Sequence, residues 1–278
     1  MNSAVDDPRP IEGEALRREI YRGRVLFRAA NESTLALVGQ ARALLEHELG
    51  LPIEMAAVRM PAEAHFAAIG RVRQQLLADR FLDLLRAILA GVGLDPPELA
   101  IDRPRLRAVL DRGHTHPAAL AAYYAHRDTW YANPAAQMNF WIPLHDVRSE
   151  ETFAIYPDAF AVPVANDSAS FDWGVFKAVA GWQCPHAPEG TAYPRATESI
   201  ARWTPLAVEG RAGDLVIFSG AHLHQTQAHA AGRTRLSLDF RAVHLGDHAQ
   251  GLGAPEVDNR SRGSTLGDYV RDPRSDSE

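Results

Sequence analysis

The period of the apolar residues changes near residue 98, and that change restricts the fold more than any other feature of the chain. Upstream, Leu35, Val38, Ala41 and Leu45 recur at three-to-four-residue steps behind Asn31, a helix N-cap, with Gly50 and Pro52 as the stop. A second helical region runs, with a break, from about Pro61 to Ala90. It carries Phe66, Ile69 and Val72, then Phe81, Leu84, Leu85, Ile88 and Leu89, and is closed by Gly91, Gly93 and Pro96-Pro97. Helical apolar stripes of this kind are burial surfaces. Residues 24–28 read as a short strand, and residues 1 to about 15 as a loose polar arm.

Downstream the pattern alternates. Residues 99–101 and 106–110 read as strands joined by Asp102-Arg103-Pro104. Residues 137–142 alternate polar with apolar, the mark of a strand with one wet face. Further strands are expected at 152–156, 206–208, 215–218 and 236–240. An insert over 157–200 holds an expected helix at 168–182, with Phe171, Val175, Val179 and Trp182 at helical spacing, and a proline-containing loop at 184–195. Beyond about residue 246 the chain turns polar and reads as a peripheral tail with a disordered end. Helices followed by short, evenly spaced strands predict a mainly β fold with helical support, an antiparallel barrel or jelly roll. One integrated domain is expected, with an N-terminal arm and supporting helices over 1–97, a core over 98–245 and a C-terminal tail over 246–278.

Composition excludes several classes of function. The 278-residue chain has a net charge of −6 and scattered arginines, so no basic stripe stands ready to neutralise phosphates, and no nucleic-acid partner is expected. Cys184 is the single cysteine, which rules out a disulfide framework and fits a reducing, cytoplasmic setting. The first residues lack a signal-peptide pattern, and no apolar run nears the ~20 residues of a membrane span. No membrane association is expected, and oligomeric state is not legible.

Chemistry concentrates in two stretches. In an extended strand, His126 and Asp128 share a face and offer an imidazole and a carboxylate to one point. Alone, such a pair is weak evidence for a metal and reads more naturally as a histidine hydrogen-bonded to a nearby carboxylate. About a hundred residues later, a Gly213-Asp214 turn opens an apolar strand leading to His222 and His224, either of which completes a two-histidine, one-carboxylate face. That ligand set leaves metal positions open and suits non-haem iron(II). Arg235 follows His224 by eleven residues, and Ser237 shares its strand face. A guanidinium fork with a hydroxyl beside it clamps a carboxylate, such as the distal end of 2-oxoglutarate. Arg233 and Arg241 are further candidates, and Arg241 shares the face of Arg235 and Ser237.

His126-Arg127-Asp128, the Gly213-Asp214 turn, His224 and Arg235-x-Ser237 together resemble the iron(II)/2-oxoglutarate-dependent oxygenases, in particular the phytanoyl-CoA dioxygenase-like group. The resemblance covers about residues 98–245. It implies a double-stranded β-helix (jelly-roll, cupin-like) core, with iron(II), 2-oxoglutarate and O2 as cofactor and co-substrates. It also implies His126, Asp128 and His224 as iron ligands, the offset from Gly213-Asp214 favouring His224 over His222. Arg235 with Ser237 would bind 2-oxoglutarate, and Gln137, Asn139 and Trp141 would line its pocket. Halogenating members carry a small residue where Asp128 stands, so hydroxylation or a related oxidation of a small organic molecule is implied. Trp130, Tyr131 and His222 are candidate substrate contacts. Two other readings remain open from the residues: a jelly-roll metalloenzyme that does not use 2-oxoglutarate (an isomerase or cofactor-independent dioxygenase), and a non-catalytic small-molecule binding protein of the same fold.

Overall fold

The computed structural model describes residues 11–179, 191 and 193–271. Helix α1 (Gly13–Tyr21) starts two residues inside the expected arm because Leu16 and Ile20 have an apolar layer to enter, and both are fully buried. Strand β1 (Leu26–Arg28) leads to α2 (Glu32–Leu49). Asn31 accepts from the Thr34 amide and the Thr34 hydroxyl accepts from the Asn31 amide, a capping box that satisfies two donors at the helix start. Gly50 ends the helix at φ 63°, a left-handed conformation that glycine adopts without strain. Helices α3 (Ala56–Arg59), α4 (Ala62–Gln75) and α5 (Asp79–Gly91) complete the layer. The α2 stripe is rotated from the expected one: Leu35 is exposed, while Leu37, Val38, Ala41, Leu45 and Leu49 are buried.

The strands are β2 (Leu99–Ile101), β3 (Arg105–Val109), β4 (Gln137–Pro143), β5 (Phe153–Ile155), β6 (Leu206–Ala207), β7 (Leu215–Ser219), β8 (His224–Thr226), β9 (Arg235–His244) and β10 (Val270–Arg271). A seven-stranded antiparallel sheet runs β1-β7-β4-β9-β2-β10, with β3 also paired to β9. The second sheet runs β6-β5-β8. The fold is therefore mainly β with helical support, two antiparallel sheets enclosing a cavity, as the jelly-roll expectation requires.

Period-two alternation assigns the two faces of the large sheet. Met138, Phe140 and Ile142 of β4, with Leu236, Leu238 and Ala242 of β9, join Leu37, Leu45, Leu85 and Ile88 in one core against the helices. The opposite face carries Gln137, Asn139 and Trp141, and Arg235, Ser237, Asp239 and Arg241. It is not wet in the sense the sequence pattern suggested. Every residue of β4 is buried, because the small sheet and the connecting loops close over the polar face.

Two other expectations change. The inserted helix is the shorter α6 (Trp173–Val179). It buries Trp173 and Phe176, next to buried Phe171, and leaves Val175 and Val179 exposed; Trp182 and most of the 184–195 loop lie outside the described residues. The C-terminal segment is not peripheral over 246–271: after α7 (Leu245–Ala249), buried Tyr269 and the β10–β2 pairing bind it to the sheet. Its expected disordered end lies outside the described residues. Among the described residues no helix is long and apolar enough to cross a membrane.

Candidate metal centre and anion pocket

His126 and Asp128 do converge, though not from one strand. His126 forms a two-way backbone bridge with His224, its amide to the His224 carbonyl at 3.0 Å and the return bond at 2.9 Å. Asp128 opens a 3-10 turn, Asp128–Tyr131, just after an extended Arg127. The Asp128 amide donates to Gly220 O at 2.8 Å, which ties the turn to the end of β7. Gly220 permits this closeness: a Cβ there would lie 2.8 Å from Gln137 Nε2.

The bridge sets the two imidazoles side by side, ring centroids 4.3 Å apart. His126 Nδ1 lies 2.8 Å from Tyr124 O, and His224 Nδ1 lies 2.9 Å from His222 O. A carbonyl only accepts, so each Nδ1 carries the proton and each Nε2 presents a lone pair, the tautomer a metal ligand needs. The two Nε2 atoms stand 3.7 and 3.9 Å from Asp128 Oδ1. One ligand atom from each of the three residues falls within 4.8 Å of the others, a spacing that one metal ion can bridge. Burial, reinforced by the neighbouring His224, pushes the His126 imidazole down to about 3, so it is neutral at ordinary pH. Burial alone would raise the Asp128 carboxyl. The charge of Arg241, with the hydrogen bond from Asn139, outweighs it and holds the group well below the usual carboxylate range.

The structure separates His222 from His224. β8 begins at His224; His222 sits in the preceding turn, fully buried, with Nε2 3.0 Å from Gly23 O and Nδ1 accepting the Ser219 amide at 3.2 Å. Burial pushes it down to about 4. It does not line the cavity, and the expectation of a substrate contact there is not met. Trp130 differs from expectation in the same way. The 3-10 turn swings it outward to donate to Asp258 Oδ1 at 2.7 Å, whereas Tyr131 stays on the cavity wall, edge-on to His126 at 5.3 Å.

A cavity of about 290 Å³ opens from the triad between the sheets. Three arginines, Arg107, Arg235 and Arg241, line it together with Asp128 and Asp239. Arg235 is 4% exposed, and its Nε has no hydrogen-bond partner among the described residues; the fully buried Ser237 Oγ and the Trp141 Nε1 also lack one. Burial, and then the charge of Arg107, pushes the Arg235 guanidinium down to about 10. Unmet buried donors are costly, so Arg235 Nε and Trp141 Nε1 on the cavity wall, with Ser237 Oγ on the same face of β9 as Arg235, are suited to an acceptor such as water or an anion. Of the other expected contacts, Asn139 and Trp141 line the cavity. Gln137 sits behind it, donating to Asp128 Oδ2 at 2.9 Å and to Asn139 Oδ1 at 2.7 Å. Arg233 turns away to Glu151, and Arg241 pairs with Asp128 and Asp102, both at 3.3 Å.

Arg107 and Asp239 were not among the expected site residues. Arg107 lies opposite Ser237 in the β3–β9 register and forms a forked pair with Asp239, at 2.6 and 3.1 Å. The available signal was the alternation itself, which puts Arg107 on the face of Arg105 and Asp239 on the face of Arg235 and Arg241. Arg127, between the two ligands, points away from the metal side. It is 1% exposed, pairs with Asp258 at 3.0 Å and donates to several carbonyls, including Ala159 O at 2.8 Å.

No family model matches the chain, and no curated protein matches it. Solved structures do. The epimerase SnoN, in complex with Fe3+, alpha ketoglutarate and nogalamycin RO, is 15% identical over 82% of this chain and 84% of its own, with a TM-score of 0.42. The alpha ketoglutarate dependent carbocyclase SnoK from nogalamycin biosynthesis is 13% identical over 83% and 84%, with a TM-score of 0.43. EctD from S. alaskensis, with 2-oxoglutarate and 5-hydroxyectoine, is 13% identical over 87% and 83%, with a TM-score of 0.41. Within this chain, His126, Asp128, His224 and Arg235 line one cavity.

Proposed function

We propose that this chain is a non-haem iron(II) enzyme that uses 2-oxoglutarate and O2 to hydroxylate, or otherwise oxidise, a small organic molecule. The observation that carries the reading is the pairing, in one cavity, of an open three-ligand metal face with a buried arginine that has no carboxylate partner among the described residues. His126, Asp128 and His224 would hold the metal through two imidazole nitrogens and one carboxylate. The bound iron and 2-oxoglutarate would supply oxygen activation coupled to oxidative decarboxylation of the 2-oxo acid. The protein's part is to bind, orient and exclude water. Arg235 would present its planar fork to the distal carboxylate, and Ser237 Oγ and Trp141 Nε1 are unmet donors of the same region. Phe153, Phe218 and Tyr131 give the cavity apolar walls. Asp128 supplies a third protein ligand, which supports hydroxylation over halogen transfer.

The test is anaerobic addition of iron(II) and 2-oxoglutarate to the purified protein. A charge-transfer absorption band, followed by succinate formation on admitting air, is the expected result. Absence of both refutes the proposal. Turnover that survives Arg235→Ala and needs no 2-oxoglutarate would instead support a metalloenzyme of the same fold without that co-substrate.

A further inference from the structure

Asp128 presents two very different oxygen atoms. Oδ2 faces three donors: Asn139 Nδ2 at 2.8 Å, Gln137 Nε2 at 2.9 Å and the Arg241 guanidinium, with Nε at 3.3 Å. Oδ1 has no donor of this kind among the described residues and faces the Nε2 atoms of His126 and His224. A carboxylate has about four lone-pair sites, and the half that belongs to Oδ2 is fully claimed. We infer that Arg241, together with Gln137 and Asn139, is a positioning group that fixes Asp128 as a one-oxygen metal ligand; this inference rests on the metal reading above.

The donors are themselves braced. Arg241 lies directly opposite Asn139 in the β4–β9 register, so both reach the carboxylate from adjacent strands. Arg241 is 6% exposed and is also held by Asp102 at 3.3 Å, and Asp102 in turn is gripped by Arg105 at 2.6 Å. Gln137 Oε1 accepts the Tyr269 hydroxyl at 2.7 Å, which brings the C-terminal segment into the same network. Turning the carboxylate to offer both oxygens to a metal would break all three contacts to Oδ2. The consequence is a count of open positions. One oxygen from Asp128 with one nitrogen from each imidazole would leave more of a bound metal open to other ligands than a carboxylate offering both oxygens.

Co(II) serves as the probe, titrated into the metal-free full chain and followed by its d–d absorption. Outer contacts of this kind change metal affinity by about 10–100-fold. Arg241→Gln should weaken Co(II) binding by about that factor and alter the d–d spectrum, and Arg241→Lys should restore part of the affinity. A purely structural role for Arg241 would lower Tm and leave both readouts where they are. Asn139→Ala provides a second variant that keeps the Arg241–Asp102–Arg105 cluster, and it should shift the spectrum in the same direction with a smaller loss of affinity. Wild-type affinity and an unchanged spectrum in Asn139→Ala, or in folded Arg241→Gln, overturn the inference. A wild-type protein that takes up no Co(II) is a different result, since it refutes the metal reading itself and the inference with it.

Discussion

Replacing Arg235 by methionine should make the ligand-free protein more stable and deprive it of its response to 2-oxoglutarate. The guanidinium is 4% exposed, lacks a partner at Nε among the described residues, and is pushed from its ordinary value down to about 10 by burial and by Arg107. At 1.36 kcal/mol for each unit, keeping that charge in place costs the ligand-free fold about 3 kcal/mol. Methionine fills much of the same channel without charge, and replacing a buried charge by an apolar group of similar size is often stabilising by ~1–4 kcal/mol. A gain of about 1–3 kcal/mol in urea unfolding of the metal-free protein is expected. Anaerobically, with Mn(II) present, 2-oxoglutarate at a hundred times its Kd should stabilise the wild type by about 2.7 kcal/mol. Loss of one partner of a buried, hydrogen-bonded charge pair costs ~2–5 kcal/mol of binding, so the same concentration should leave Arg235→Met nearly unmoved. A variant less stable than wild type without ligand refutes the argument from an unpaired charge. A variant that 2-oxoglutarate stabilises as much as wild type refutes the assignment of the anion site.

Three other outcomes are checkable. Asp258→Ala should cost about 3–5 kcal/mol in chemical denaturation, because it leaves the buried Arg127 charge without its carboxylate; a loss below ~1 kcal/mol would show that the carbonyls around Arg127 suffice. His222→Phe should lower stability by about 1–3 kcal/mol, since Gly23 O and the Ser219 amide lose their partner, with metal stoichiometry by elemental analysis unchanged. Loss of the metal in that variant would contradict the choice of His224. Burial alone would raise the Glu151 carboxyl, but its two hydrogen bonds from Arg233 hold it below its usual 4.5. The stabilisation is therefore complete above about pH 4.5 and is lost as pH falls through the lowered value. Glu151→Gln should flatten that part of the acid unfolding curve, and an unaltered curve would show that the pair contributes nothing.

The layer structure was legible because burial imposes a period on sequence. Asn31, Gly50 and the residues between them mark α2 by caps and spacing, and alternation in β4 and β9 assigns their faces before any coordinates are known. The same alternation located Arg235, Ser237 and Arg241 on one face, where the structure has them. It misjudged what that face meets. Polar residues at every second position describe equally a strand against solvent and a strand lining a closed polar cavity, because the local chemistry of Gln137 and Asn139 is the same in both. Only the second sheet, built from residues up to ninety positions away, decides between them.

Apart from Arg107 and Asp239, which pair across two strands, the features that stayed hidden have partners in loops. His222 and His224 have the same two-residue relation a strand would give them, yet a turn ending at His222 sends one ring to Gly23 and the other to the metal side. Trp130 and Tyr131 are separated likewise by a 3-10 turn, one toward Asp258 and one toward His126. In each case the deciding contact is made by a residue from a segment with no periodicity of its own. Asp258 is the clearest example. From a stretch that reads as tail, it accepts from Arg127 Nε, Trp130 Nε1 and the Val164 amide, and so clamps the outer side of the turn whose inner side carries Asp128. Through Tyr269 and Gln137 the same C-terminal segment reaches Asp128 from behind. Asp128, held on both flanks by residues 258 to 269, cannot take its final geometry until that segment has docked. Replacing Asp258 and Tyr269 together (Asp258→Ala, Tyr269→Phe) is therefore expected to weaken metal binding while the helical signal in circular dichroism persists, since neither hydrogen-bonds a helix of α2–α5 among the described residues; wild-type metal affinity in that variant would refute the bracing role.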